Sequence, residues 1–413
     1  MGISEILTIT IVLAAVFAYV NQRFIKWPPT IGIMVLSLGT SLLLVVLGRF
    51  HPFLSDKAIQ LASSIDFQDV LMNFMLSFLL FAGAIHIDAG KLMKQLWPII
   101  GLATFGILIS TTLVGAMVWC LFQIFHLPIQ LIYCLLFGAL ISPTDPIAVL
   151  SILKDAKMPS SLELKISGES LFNDGVAIVV FITLLDAARS GVSELDVLQV
   201  GKLFMQEAVG GLLFGVALGY AGYYALRSID DYKVEVLITL AIVMGGYFLA
   251  GHLHVSGPLA MVIAGIIMGN KVKEGASSKL SRDYLNKFWE LVDEILNAIL
   301  FLMMGLEMLI IKVNITVFII GCIAILIVLL ARWVSVFFPV LLLKYRVEFE
   351  KNAVTILTWG GLRGGLSVAL SLSLAPNMHR DEFVLITYIV VVFSILVQGL
   401  TIGGLTKRLL HKE

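Results

Sequence analysis

Charge is what this sequence has least of. Of its 413 residues only 14% are Asp, Glu, Lys or Arg, against 59% hydrophobic, and the mean hydropathy is +1.00. Soluble domains carry about 25% charged residues, so a water-soluble enzyme of this composition would have nothing left to cover its surface. The charge present is not one-sided either. Twenty-eight Lys and Arg balance 28 Asp and Glu, which removes the electrostatic case for nucleic acid. Cysteine is scarce, and Cys120, Cys134 and Cys322 all fall inside apolar runs. They read as small buried hydrophobes rather than a disulfide or zinc framework. No phosphate-binding glycine loop is present, so nothing suggests ATP-driven chemistry. No His lies mid-run either, which leaves an intramembrane hydrolase without its usual base. No cofactor is expected.

What the sequence has in abundance is apolar runs long enough to cross a hydrocarbon core, about 20 residues each. They are continuous rather than alternating, which excludes a β-barrel. The fold class is therefore an all-α polytopic membrane protein. Thirteen candidate spans lie near 3–20, 30–48, 69–86, 96–122, 129–152, 163–186, 203–226, 234–252, 256–269, 292–310, 314–342, 353–375 and 383–405. The first run has no basic residue before it and carries Glu5, so it is expected to be a retained span rather than a cleaved signal. The longest connection, about 270–291, is polar and is expected to form an amphipathic surface helix.

Thirteen spans put the termini on opposite sides and sort the loops into two sets. The set that includes the C-terminus holds 20 Lys and Arg, among them Lys91, Lys94, Lys279, Arg282 and Lys287, and the other holds 6. Basic residues accumulate in cytoplasmic loops, so the C-terminus is expected inside and the N-terminus outside. The two basic residues left over, Arg332 and Arg363, lie within spans. Six spans, one lone crossing and six more would also permit an inverted repeat, a common transporter plan. It would divide the chain into a first repeat at 1–190, a linker helix at 191–230 and a second repeat at 231–413.

Equivalent spans of the two halves are both interrupted. The fifth contains Ser142-Pro143-Thr144-Asp145-Pro146 and the twelfth Gly360-Gly361-Leu362-Arg363-Gly364-Gly365. The prolines remove backbone donors and disfavour helical geometry at Ser142 and Asp145, which precede them. The glycines permit the same opening around Arg363. A charged residue sits inside each break, and Asp145 can neutralise positive half-helix ends while Arg363 neutralises negative ones. The sixth span carries Glu169-Ser170-Leu171-Phe172-Asn173-Asp174. Ser170, Asn173 and Asp174 share one helix face. Hydroxyl, amide and carboxylate oxygens converging there suit a small hard cation, and intramembrane carboxylates mark ion paths and proton relays. Glu169 is one position off that face and suits a buried partner, for which Arg332 is the free candidate besides Arg363. Gly211, Gly215 and Gly219 form a small-residue packing stripe on the seventh span.

With these residues in place, the chain resembles the NhaP-type sodium/proton antiporters of the monovalent cation:proton antiporter-1 family. The resemblance rests on Thr144-Asp145-Pro146, the segment from Glu169 to Asp174, Arg332, and Gly361-Leu362-Arg363-Gly364, in the family's order and on the expected spans. It implies a homodimer in a bacterial or archaeal inner membrane, whose protomers move a six-helix core as an elevator. It implies Asp174 as the carboxylate that binds Na⁺ and H⁺ in turn, aided by Ser170, the Thr144 backbone and Asp145, with a structural Glu169–Arg332 pair. Some relatives carry an acid in the third span, where this chain reads Phe81-Ala82-Gly83. The expected function is secondary active exchange of Na⁺ or Li⁺ for H⁺, electroneutral because Asn173 replaces a second acid beside Asp174. K⁺/H⁺ exchange and a gated cation channel are the alternatives.

Overall fold

A computed structural model describes residues 3–48, 53, 57, 59–60, 66–145, 149, 159–189, 197–276, 278–345, 347, 349–350 and 352–410. Every regular element among them is helical. In chain order these are α1 (Ile3–Val20), α2 (Pro29–Gly48), α3 (Phe67–Ile85), the short α4 (Ala89–Lys94), α5 (Leu96–Ile124) and α6 (Leu131–Ile141). There follow α7 (Ser160–Arg189), α8 (Val197–Arg227), α9 (Tyr232–His252), α10 (Gly257–Lys271), α11 (Lys279–Glu307) and α12 (Ile315–Leu343). The chain closes with the short α13 (Ala353–Trp359) and α14 (Gly365–Leu372), then α15 (Arg380–Leu409).

Polar caps fix where several of these helices begin. Asp231 accepts from Lys233 N–H at 2.9 Å, Ser256 from Leu259 N–H at 3.3 Å, and Asn314 from Thr316 N–H at 2.9 Å. Each satisfies an amide that the first helical turn leaves without an intrahelical partner. Apolar side chains then pack the helices into two cores. One joins α5, α6, α12, α14 and α15, the other joins α8, α9 and α10, and α3 and α11 contribute to both. Helix α7 contributes Ala177, Val180 and Phe181 to the first and Leu171 and Ile178 to the second, so it stands between them.

The surface helix expected over 270–291 is not a separate element. Helix α11 runs unbroken from Lys279 to Glu307, 29 residues or about 43 Å, and the polar stretch is its first half. Hydropathy misses that half because its exposed positions include Asp283, Lys287 and Glu290, while Leu285 and Trp289 are buried. A face that borders water rather than lipid lowers the average without ending the helix.

The glycine stripe packs within the protomer. A methyl group at Gly211 would come within 2.6 Å of Ser256 O, and one at Gly215 within 2.7 Å of Ala260 O and 2.8 Å of Ala260 Cα. Backbone therefore meets backbone between α8 and α10, the close approach that small residues allow. Gly245, on an exposed face of α9, has no neighbour within 4 Å of such a methyl. Gly215→Ala should lower the melting temperature in detergent, with an overpacking cost of about 1–3 kcal/mol. Gly245→Ala should leave it unchanged or slightly raised, and thermal denaturation of the two variants side by side checks this.

Candidate ion-binding site

The two interrupted spans meet at their breaks. Helix α6 ends at Ile141, and the chain from Pro143 to Asp145 is non-helical. Ser142 keeps right-handed helical angles as the C-cap of α6 (φ −78°, ψ −30°), so the departure begins one residue later than the proline rule predicts. Its hydroxyl bonds Gly138 O at 2.6 Å and Ser110 Oγ at 2.8 Å, which holds it on the helix. Pro146 and the return of this span lie outside the described residues. In the twelfth span α13 ends at Trp359, and 361–364 are non-helical before α14 begins. The Asp145 N–H donates to Leu362 O at 2.8 Å. That one backbone bond ties the two breaks together.

Unwound backbone at membrane depth leaves polar groups that only protein or water can satisfy. Arg363, 2% exposed, donates to Pro143 O at 2.9 Å and to Ser142 O. It places a cation at the negative end of α6, where a positive charge is favoured. Its own N–H donates to Ser394 Oγ at 3.0 Å. The Asp145 carboxylate lies against Gly364, at the positive end of α14, so closely that any Cβ there would collide with it. Gly361 is equally constrained, since a Cβ would come within 2.6 Å of Arg332 Nε and 3.2 Å of Thr144 Cγ2. These two glycines are required by space.

Helix α7 supplies the third wall. The Asn173 side-chain amide donates to Thr144 Oγ1 at 2.8 Å, and its oxygen accepts from Thr144 N–H at 3.4 Å. Thr144 and Ser170 hydroxyls are 3.0 Å apart. Asn173 and Ser170 are buried and clamp the unwound strand onto α7. Asp174, one residue on, is only partly buried. It lines a cavity of about 1040 Å³ together with Pro143, Thr144 and Asp145. The cavity reaches Pro29 of α2, His86 beside α3, Ser167 of α7 and Asn286 of α11, so it extends to the end of the bundle that carries Lys91, Lys94, Lys279, Arg282 and Lys287.

Glu169 does not join this group. Its carboxylate receives Arg332 Nη1 at 2.5 Å and Nη2 at 3.0 Å, and Nη2 also donates to Leu357 O at 3.2 Å. Glu169 and Arg332 are 1% and 5% exposed. The pair links α7 to α12 and caps the last turn of α13. In the third span Ala82 is fully buried, while Gly83 borders the cavity. Glu307, at the far end of α11, is not among the cavity-lining residues. Sequence reasoning missed the acids of α11. Glu290, Asp293 and Glu294 with Asn297 line the same cavity, and their spacing of i, i+3, i+4 and i+7 is a helix-face signal.

Two interrupted spans that meet at their breaks, beside a carboxylate that opens to a cavity, follow the plan of a secondary transporter. The whole chain agrees, since residues 11–408 match the family described as "Sodium/hydrogen exchanger, transmembrane". The chain belongs to that family, as a multi-pass membrane antiporter and not an enzyme. It is 47% identical over 408 residues to the Na(+)/H(+) antiporter NhaP of Pseudomonas aeruginosa (97% of this chain, 95% of the relative). It is 36% identical over 395 residues to the Na(+)/H(+) antiporter NhaH of Halobacillus dabanensis (94% and 93%). Its fold matches that of the sodium proton antiporter MjNhaP1 from Methanocaldococcus jannaschii at pH 8, with a TM-score of 0.77, 19% identity and 98% of each chain covered.

The buried ion pair gives a direct test of which α7 residues hold the fold. Removing one member leaves an uncompensated buried charge, typically at a cost of about 3–5 kcal/mol. Glu169→Ala should therefore lower the melting temperature in detergent well below that of Ser170→Ala, which loses one hydroxyl contact. Equal melting curves for Glu169→Ala and the unmodified protein would show that the pair contributes nothing.

Proposed function

We propose that the protein exchanges Na⁺ (or Li⁺) for H⁺ by letting each occupy the Asp174 carboxylate in turn. The observation that carries this reading is the opening of Asp174 into the cavity, on a helix face whose other polar groups are engaged with Thr144. A carboxylate in that position accepts a proton or coordinates a cation through the same oxygens, and not both at once. Asp145, Ser170 and the Thr144 backbone complete the oxygen shell, in keeping with the preference of hard cations. Glu169, Arg332 and Arg363 hold the frame and compensate the half-helix ends.

Coupling follows from excluding the empty state. If the core crosses only when Asp174 carries a cation or a proton, one species must return for the other to leave. The crossing and α7, bound to each other through Thr144, would travel as one rigid body in an elevator motion. A homodimer supplying a stationary flank fits that motion. The cavity reaches the end of the bundle with the excess of basic residues. By the positive-inside rule that end is cytoplasmic, so this conformation faces inward, with the N-terminus outside and the C-terminus within. A role in pH homeostasis and sodium transport follows. K⁺/H⁺ exchange by the same groups is the second reading, favoured by the absence of an acid at Phe81-Ala82-Gly83.

The exchange should be electroneutral. Asn173 is an amide and cannot carry a proton, and both ends of that amide are engaged by Thr144. Asp145 sits at a positive helix end near Arg363, which keeps it ionised throughout the cycle. One carboxylate then carries one cation one way and one proton the other. Each net charge moved would couple to voltage by about 2.3 kcal/mol per 100 mV. In proteoliposomes clamped with valinomycin and K⁺, the Na⁺/H⁺ balance point should not move with imposed voltage. A shift would show a second proton, with Asp145 the first residue to mutate. A pH-dye assay over Na⁺, Li⁺ and K⁺ separates the two cation readings.

A further inference from the structure

Across the cavity from Asp174, helix α11 presents a set of oxygens that the exchange cycle above does not use. Asn297 is 2% exposed and lines the cavity. Its side-chain nitrogen donates both to Asp293 O at 2.8 Å and to Asp293 Oδ1 at 3.1 Å. Two acceptors on one side fix which way the amide points. Asn297 Oδ1 is left buried without a hydrogen-bond partner among the described residues, although a buried acceptor without a partner costs about 1–3 kcal/mol. Thr30 Oγ1 on α2, a residue 8% exposed that lines the same cavity, also has no partner among them.

These oxygens lie at one level. Ser37 Oγ donates to Leu302 O at 2.7 Å and Ser41 Oγ to Gly305 O at 2.7 Å, so α2 and α11 run parallel and in step. Thr30 is seven residues before Ser37, about two helical turns or 10 Å. That puts it level with residue 295, between Asp293 and Asn297. The Asp293 carboxylate borders the cavity and feels the charges of Asp145 and Glu294. One carboxylate and two neutral oxygens, with no Lys or Arg among the described residues that line the cavity, make a hard-cation ligand set.

We propose that Asp293, Asn297 Oδ1 and Thr30 Oγ1 form a second monovalent-cation site on the α2–α11 wall, which holds the ion before it crosses the cavity to Asp174. This rests on the antiporter reading insofar as a cation enters the cavity. Its role is to raise the local cation concentration at Asp174, an effect of acid-lined clefts worth about tenfold or more. The Asp293 charge supplies attraction and Asn297 Oδ1 supplies coordination, so the two contributions separate by mutation.

The experiment measures ²²Na⁺ binding to the purified full-length protein in detergent, alongside Na⁺/H⁺ exchange by the unmodified protein from the same preparation. Asp174→Asn removes the central site and should leave weaker, saturable Na⁺ binding. Adding Asp293→Asn, or Asn297→Ala with the Asp293 charge kept, should abolish that remainder. In transport, Asp293→Asn should raise the half-saturating Na⁺ about tenfold, and Asn297→Ala, which keeps the charge, should raise it as well, each with the maximal rate preserved. The proposal is overturned if Asp174→Asn binds no Na⁺, or if Asn297→Ala on that background binds as Asp174→Asn does, which would leave only diffuse attraction by the acids. A preparation in which even the unmodified protein fails to exchange Na⁺ would count against the antiporter reading itself, so the two failures are distinct.

Discussion

The polar interior of this bundle depends on one backbone hydrogen bond, from Asp145 N–H to Leu362 O, where two interrupted spans meet. Either break alone would strand carbonyls and amides in a medium that cannot satisfy them. Together they satisfy each other. The bond sets Arg363 onto the carbonyls at the end of α6 and Asp145 against the start of α14, so each charge meets a helix end of opposite sign. The glycines at 361 and 364 are consequences of that closeness, because side chains there would strike Arg332 and Asp145.

From the crossing the structure builds outward. Thr144, in the unwound strand, is held by Asn173 and Ser170, which fastens the crossing to α7. Glu169, on another face of α7, reaches Arg332, and Arg332 in turn caps α13 through Leu357. The chain of contacts returns to the twelfth span where it began. Asp174 and Thr144 stand where this ring opens to the cavity. A carboxylate so placed has a rigid frame behind it and exchangeable partners in front, which is what reversible binding of a small cation requires.

Much of this was legible in the sequence because membrane solvent makes polar residues conspicuous. The two breaks announced themselves by Pro143, the glycines and a charge in each; the Ser170, Asn173, Asp174 face followed from helical spacing. Elimination narrows the partner of Glu169 to Arg332 or Arg363, and it is the family resemblance that points to Arg332, the residue the structure pairs with it. Two things were not. Spacing places Asn173 on the ion-binding face, but it cannot show that the neighbouring strand engages both ends of the amide through Thr144. Hydropathy makes the first half of α11 read as a separate surface helix, because the average drops wherever a helix borders water. The repeat of acids at 290, 293 and 294 with Asn297 carried the correct signal, a polar stripe rather than a polar segment.

The central claim is that one carboxylate serves both substrates. It is tested most directly by Asp174→Asn, an isosteric change that removes the charge and the titratable proton while leaving the Asn173–Thr144 clamp and the Glu169–Arg332 pair in place. The measurement is Na⁺-induced dequenching of a pH dye in everted vesicles, with expression and melting temperature matched to the unmodified protein. The account predicts a folded protein with no Na⁺-dependent proton movement at any pH. Proton movement at the unmodified rate would contradict it and place the shared site elsewhere in the cavity.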